Sequence, residues 1–145
     1  MSENIEPFVA DSRVLTHRGA LTMLSAAVDH ATKIEVPQCI VIVDRSGEVI
    51  ASLRMSGAKF LSLRSATAKA RTAASMNAAT GNLDMNVGMA LGLATDGAIT
   101  PLPGGLPIRF EGEPIGGIGV GSGSGEQDRA VARAALEAAG ADLDV

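Results

Sequence analysis

The sequence predicts an α+β domain, an antiparallel sheet with helices packed on it. Three observations lead there. The β-branched runs come in pairs joined by short turn sequences, which is the hairpin signature. Long helical patterns stand before, between and after those pairs instead of alternating with single strands, so the parallel βαβ plan does not fit. The 145 residues are 46% apolar yet contain no Trp or Tyr and three Phe, which gives one domain-sized core of Ala, Val, Leu, Ile and Met.

In chain order, residues 1–14 are polar and mixed and read as an N-terminal arm, with residues 15–145 as one domain. Ala20, Leu21, Leu24, Ala27, Val28 and Ala31 recur at helical spacing behind Thr16, a suitable cap. A helix is therefore expected over about 16–34, stopped near Pro37. Ile40–Val43 and Val49–Leu53 flank the turn sequence Asp44-Arg45-Ser46-Gly47 and predict a hairpin. The first of these runs is apolar throughout, as expected of a central strand covered on both faces. Residues 60–79 are rich in Ala and free of Gly and Pro, and predict a second long helix that stops at Thr80-Gly81. A shorter helix over 82–95 is weakened by Gly88 and Gly92. Residues 97–120 read as a strand region with a Pro/Gly loop, in which Ile108–Phe110 and Ile115–Val120 pair around Gly112. Ser124 and Gln127 have capping-box spacing and start a last helix over about 125–139, with Val131, Ala134 and Ala138 on its inner face.

Composition narrows the function. Net charge is −4 and the basic residues are dispersed, so there is no electrostatic footprint for nucleic acid, and no aromatic platforms for stacking bases. No run of about 18 apolar residues occurs and no signal peptide is evident; the expectation is a soluble, cytoplasmic chain. Cys39, the one cysteine, lies in the apolar run QCIVIVD and reads as a buried, inert thiol. No Cys or His pattern has metal-site spacing.

The stretch EGEPIGGIGVGSGSGEQD, residues 111–128, has glycine at 116, 117, 119, 121, 123 and 125. It fails the dinucleotide fingerprint G-x-G-x-x-G, because Ser122 and Ser124 stand where the third glycine is required, and no Gly-Lys-Ser/Thr follows. Glu126 and Asp128 would meet a phosphate at the helix start with like charge. The alternation of glycines instead predicts a strand with one bare face, open to a helix, a second subunit or a flat ligand.

Taken with LTHRGALTMLSAAVDHA, IVIVDRSGEVIASLRMSGAKFLS, ATAKARTAASM and PLPGGLPI, this stretch resembles the GlcG/HbpS-like family, which includes the C-terminal domain of PduO-type proteins. The resemblance covers about residues 15–140. It implies an antiparallel five-stranded sheet with helices on both faces, assembly into homo-oligomers, often octamers, and in some members heme binding. Ser56 stands where the family commonly has Asp, which removes a carboxylate that would pair Arg54 or act as a base. After Val120 the chain reads Gly121-Ser122, where Ser-Gly is usual.

Two functional readings stay open beside that of a purely structural assembly module. One is a binding protein for heme or a similar flat acidic ligand. His17 shares a helix face with Leu21, Leu24 and Val28 and is the candidate iron ligand. Arg54, Lys69 and Thr72 are candidates for the ligand's acid groups, and Gly105, Gly117 and Gly119 for close approach to its face. His30 reads as a surface residue and Met55 as a weaker ligand. The other reading is a cofactor-independent enzyme acting on a small carboxylate intermediate of a catabolic pathway, with Arg54 or Lys69 as anchor and a His as acid or base. Arg54 and Lys69 can equally form ordinary ion pairs with Asp44 or Glu48. No nucleophile elbow accompanies the serines.

Overall fold

The computed structural model describes residues 8–145; the first half of the expected N-terminal arm lies outside them. The elements are α1 (His17–Lys33), β1 (Cys39–Asp44), β2 (Val49–Arg54), α2 (Ser62–Met76), α3 (Met85–Ala94), β3 (Gly105–Phe110), β4 (Glu113–Gly121) and α4 (Gly125–Ala139). The strands form one antiparallel sheet in the order β2-β1-β4-β3. Helices cover both faces. Ile40, Ile42, Leu106, Ile108, Ile118 and Val120 face α1 and α4 in the larger core, while Cys39, Val41 and Val43 face Ala66 and Ala70 of α2. β1 is buried from Cys39 to Val43 on both faces, as its unbroken apolar run requires.

The sheet has four strands among the described residues, not five. The stretch before β3 cannot extend it. Pro101 and Pro103 have no N–H to give a ladder. The remaining amides turn to side-chain hydroxyls: Ile99 N–H donates to Thr95 Oγ1 at 3.0 Å, Thr100 N–H to Thr72 Oγ1 at 3.0 Å, and Leu102 N–H to Thr100 Oγ1 at 3.2 Å. Pro107 sits inside β3 without harm because β3 is an edge strand.

Turns and caps follow local chemistry. Asp44 Oδ1 accepts from Ser46 N–H at 2.8 Å and from Glu48 N–H at 3.1 Å, closing the β1–β2 turn. Glu111 and Gly112, both at positive φ, join β3 to β4, and the Asp142 carboxylate accepts from both of their amides. Thr16 caps α1 and Ser124 with Gln127 forms the full capping box of α4. α2 ends at Asn77 in a left-handed conformation, earlier than Thr80. Thr80 instead exchanges bonds with Gly105: its amide donates to Gly105 O, and its Oγ1 accepts from Gly105 N–H, both at 2.9 Å. Two helix faces are rotated from expectation. Met23 fills the inner stripe of α1 while Leu21 is 59% exposed, and Ala135 and Leu136 are buried in α4 while Ala138 is exposed.

The bare face of β4 is covered by α2. A Cβ on Gly119 would strike the Ala66 carbonyl oxygen and come 2.5 Å from the Ala70 amide nitrogen; one on Gly117 would strike the Ala70 carbonyl oxygen. Gly105, opposite Gly119 on β3, would strike the Lys69 carbonyl oxygen in the same way. Along β4 and the start of β3 the helix backbone rests in a trough of glycines, while the side chains of β1 pack beside it.

Two measurements test this packing. Gly119→Ala should cost about 3 kcal/mol or more in urea unfolding, because backbone on both sides must move. Gly140→Ala, at positive φ but facing open space, should cost about 1 kcal/mol from backbone strain alone. Burial pushes the Cys39 thiol above its ordinary pKa, against a smaller downward pull from Arg54. The folded chain therefore keeps this proton to higher pH than the unfolded chain. Stability should fall as pH rises above about 8.5, and the slope should flatten in Cys39→Ala.

Candidate functional site

Seating α2 on the glycines carries Lys69 to the end of β4, where it is buried. Its ammonium donates to Val120 O at 2.8 Å and to Asp128 Oδ2 at 3.0 Å, with side-chain exposures of 6% for Lys69 and 3% for Asp128. Asp128 stands in the first turn of α4. Its other oxygen accepts from Gly123 N–H at 2.9 Å and from the Gln38 side-chain amide at 2.8 Å, and that amide also donates to Gly121 O at 2.6 Å. One cluster thus ties α2, β4, the start of β1 and α4 together. Such a pair is costly to break, because removing one partner leaves the other charge buried and uncompensated.

A cleft of about 250 Å³ opens beside the cluster, lined by Lys59, Ser62, Ser65, Ser122 and the Lys69–Asp128 pair, with Leu102 and Pro103 along one wall. Ser122 holds a left-handed backbone at φ 94, and its Oγ accepts from Lys59 N–H at 3.0 Å. A second cavity of about 330 Å³ is more apolar and is lined by Thr72, Met76, Ala79, Thr80, Leu83 and Arg129 among others.

The residues singled out from sequence are dispersed. His17 is exposed as the first residue of α1. His30 is half-buried in the last turn of that helix. Arg54 ends the edge strand β2, exposed, with no ion pair among the described residues. Met55 Sδ accepts from Gln38 N–H at 3.4 Å. Thr72 is buried on α2; its Oγ1 donates to Ala68 O at 2.7 Å and holds the 98–101 loop through Thr100 N–H. Gly105, Gly117 and Gly119 meet α2. The expected pairing of Lys69 with Asp44 or Glu48 is corrected: its partner is Asp128, and Asp44 serves its own turn. Asp128 was legible only as a helix-start acid. The signal for its burial is its place one turn after Ser124, on the face that carries Val131, Ala132 and Ala135. Among the described residues no three His, Cys, Asp or Glu side chains gather as a metal site, and no helix is long and apolar enough to cross a membrane.

Fold and sequence together define the class. The family model for the haem degrading protein HbpS-like family matches residues 15–137, and the chain belongs to that family. The corrinoid adenosyltransferase PduO of Salmonella typhimurium is 37% identical over 118 residues, 78% of this chain and 35% of that protein; the chain spans about a third of the length of that relative. Protein ORFY of Klebsiella pneumoniae superposes with a TM-score of 0.87 at 28% identity, covering 94% of this chain and 97% of its own. PduOC, solved as its heme complex, superposes with a TM-score of 0.82 at 29% identity, covering 90% and 99%.

The ion pair yields a double-mutant test. Lys69→Met and Asp128→Leu should each cost about 3–5 kcal/mol in denaturant unfolding, and the double variant should cost clearly less than the sum of the two, since no charge is then left unpaired although Gly123 N–H and Gln38 still lose their acceptor.

Proposed function

We propose that this chain is a heme-binding module that acts as a homo-oligomer. The observation that carries the reading is the position of His17. Its imidazole lies on an exposed helix face, with Leu21 one turn further on, 59% exposed, and Arg18 beside it. That set fits one axial bond to iron, an apolar rest for part of a porphyrin face and a cation for a propionate. Val14, at 76% exposure, lies a further three residues before His17 in the chain. The heme complex of PduOC, on the same fold, supports the ligand class.

A flat ligand on such a surface leaves its other face open to water, and a second copy of the chain is the natural cover. Exposed Met85, Val87, Met89 and Leu93 on α3 add apolar surface of the kind that self-association buries. The octamer implied by the family resemblance is the assembly size proposed. Heme would supply its own ligand-binding and redox chemistry; His17 and Arg18 would hold and orient it. Arg54 and Lys69 do not act as paired anchors in this reading.

Hemin titration of the purified chain should give a saturable Soret band that His17→Ala loses or shifts, while far-UV circular dichroism stays unchanged. Light scattering should give a mass several times the 14.7 kDa protomer. A titration without saturation, or one identical in His17→Ala, would overturn the assignment.

A further inference from the structure

The 250 Å³ cleft beside the Lys69–Asp128 pair is too small for a porphyrin, and the heme reading does not use it. We propose that it is a separate site for a small organic carboxylate bearing a hydroxyl or carbonyl next to the acid group.

A lysine ammonium has three N–H groups. Lys69 gives one to Val120 O and one to Asp128 Oδ2, and its third has no protein acceptor among the described residues. Gly104 packs closely against the pair from the other side: a Cβ there would lie 2.7 Å from Val120 O and 3.1 Å from Lys69 Nζ, at a backbone φ of +119 that disfavours any side chain, while Lys69 itself lines the cleft. Lys59 stands at the rim, exposed, and its ammonium has no partner among the described residues. Ser122 accepts through Oγ from Lys59 N–H, which leaves its own O–H to donate. A non-glycine residue at φ 94 stores strain, and such strain gathers where a side chain must be held for a purpose.

Charge sets the ligand's sign. The lining carries two ammonium groups and one carboxylate, Asp128, and that carboxylate is already surrounded by Lys69, Gly123 N–H and Gln38. The balance is one positive charge, matched by a monoanion. The start of α2, which supplies Ser62, has no acidic residue in its first turn to repel an anion, although the amides of Ser62, Leu63 and Arg64 are already bonded to the carbonyls of residues 59–61. Hydroxyls of Ser62 and Ser122, and the Ser65 Oγ as an acceptor since its proton goes to Ser62 O at 3.2 Å, favour a ligand with a second oxygen function. The size and the Leu102–Pro103 wall favour a short carbon chain.

Calorimetric titration with sodium lactate, against sodium chloride at equal ionic strength, tests the site. Saturable heat at one lactate per chain is expected. Lys59→Gln and Ser122→Ala lie at the surface or half-buried and leave the buried pair intact. Each should weaken lactate binding about five- to tenfold; Lys59→Gln should leave the melting temperature unchanged, and Ser122→Ala, which also loses the bond from Lys59 N–H, should lower it by only a few degrees. Propionate, which lacks the hydroxyl, should bind several-fold more weakly than lactate. His17→Ala should bind lactate as the unaltered chain does, so failure of the heme reading leaves this one standing. No saturable heat, equal binding by the Lys59→Gln/Ser122→Ala double variant, or tighter binding of inorganic phosphate than of lactate would each overturn the assignment.

Discussion

Helix α2 meets the sheet through its backbone. The carbonyls of Ala66, Lys69 and Ala70 rest against Gly119, Gly105 and Gly117, and much else in the molecule depends on that approach. Ordinary helix-on-sheet packing keeps the two layers about 10 Å apart, with interdigitated side chains between them. Removing three Cβ atoms from the sheet lets the helix settle lower. A lysine that would otherwise reach over the sheet then has its ammonium at the end of β4, inside the protein. Burial of that charge demands a partner, and Asp128 supplies it.

The same economy of side-chain volume explains why a domain with so few aromatics holds together. Small residues on α1, α2 and α4, with Ala20, Ala27, Ala31, Ala66, Ala70, Ala132 and Ala135 all fully or almost fully buried, allow close contact on both faces of the sheet. Dispersion contacts then accumulate from many small groups. α3 stands outside this scheme. It is held where Gly88 meets Pro101 and Gly92 meets the Ile99 carbonyl, while four of its large apolar side chains face outward. The two glycines that weaken its helical pattern in the sequence are therefore its docking points.

What the sequence disclosed is what short-range chemistry decides. The β1–β2 hairpin follows from Asp44 and Gly47, the start of α4 from Ser124 and Gln127, and the bare face of β4 from its alternating glycines. What it hid is long-range. Lys69 and Asp128 are 59 residues apart, and nothing local marks either as the other's partner; Asp44 and Glu48 were equally good candidates until the register of four strands was known. Leu21 and Met23 both fit a helical stripe, and only the position of α4 against α1 decides between them. The expected fifth strand came from the family resemblance; among the described residues the sheet has four, and the two prolines and the hydroxyl-bonded amides keep residues 99–103 from adding to it. The dispersal of His17, Arg54 and Lys69 was equally invisible, because a sequence gives no distance between residues on different elements.

Residues 111–128 look at first like a phosphate-binding loop, and their structure shows why that reading fails and what replaces it. Gly117 and Gly119 are filled by the backbone of α2 and have no room for a ligand. The amide of Gly123, which a phosphate loop would aim at its anion, is taken by Asp128 Oδ1, and the amide of Ser124 by Gln127 Oε1. The helix start is satisfied by its own acids and its own cap. In the proposed carboxylate site the anion is met from the neighbouring helix instead: the lysine of α2 arrives beneath the same loop with one donor to spare. The glycines contribute indirectly, by letting α2 come close enough for Lys69 to reach that place.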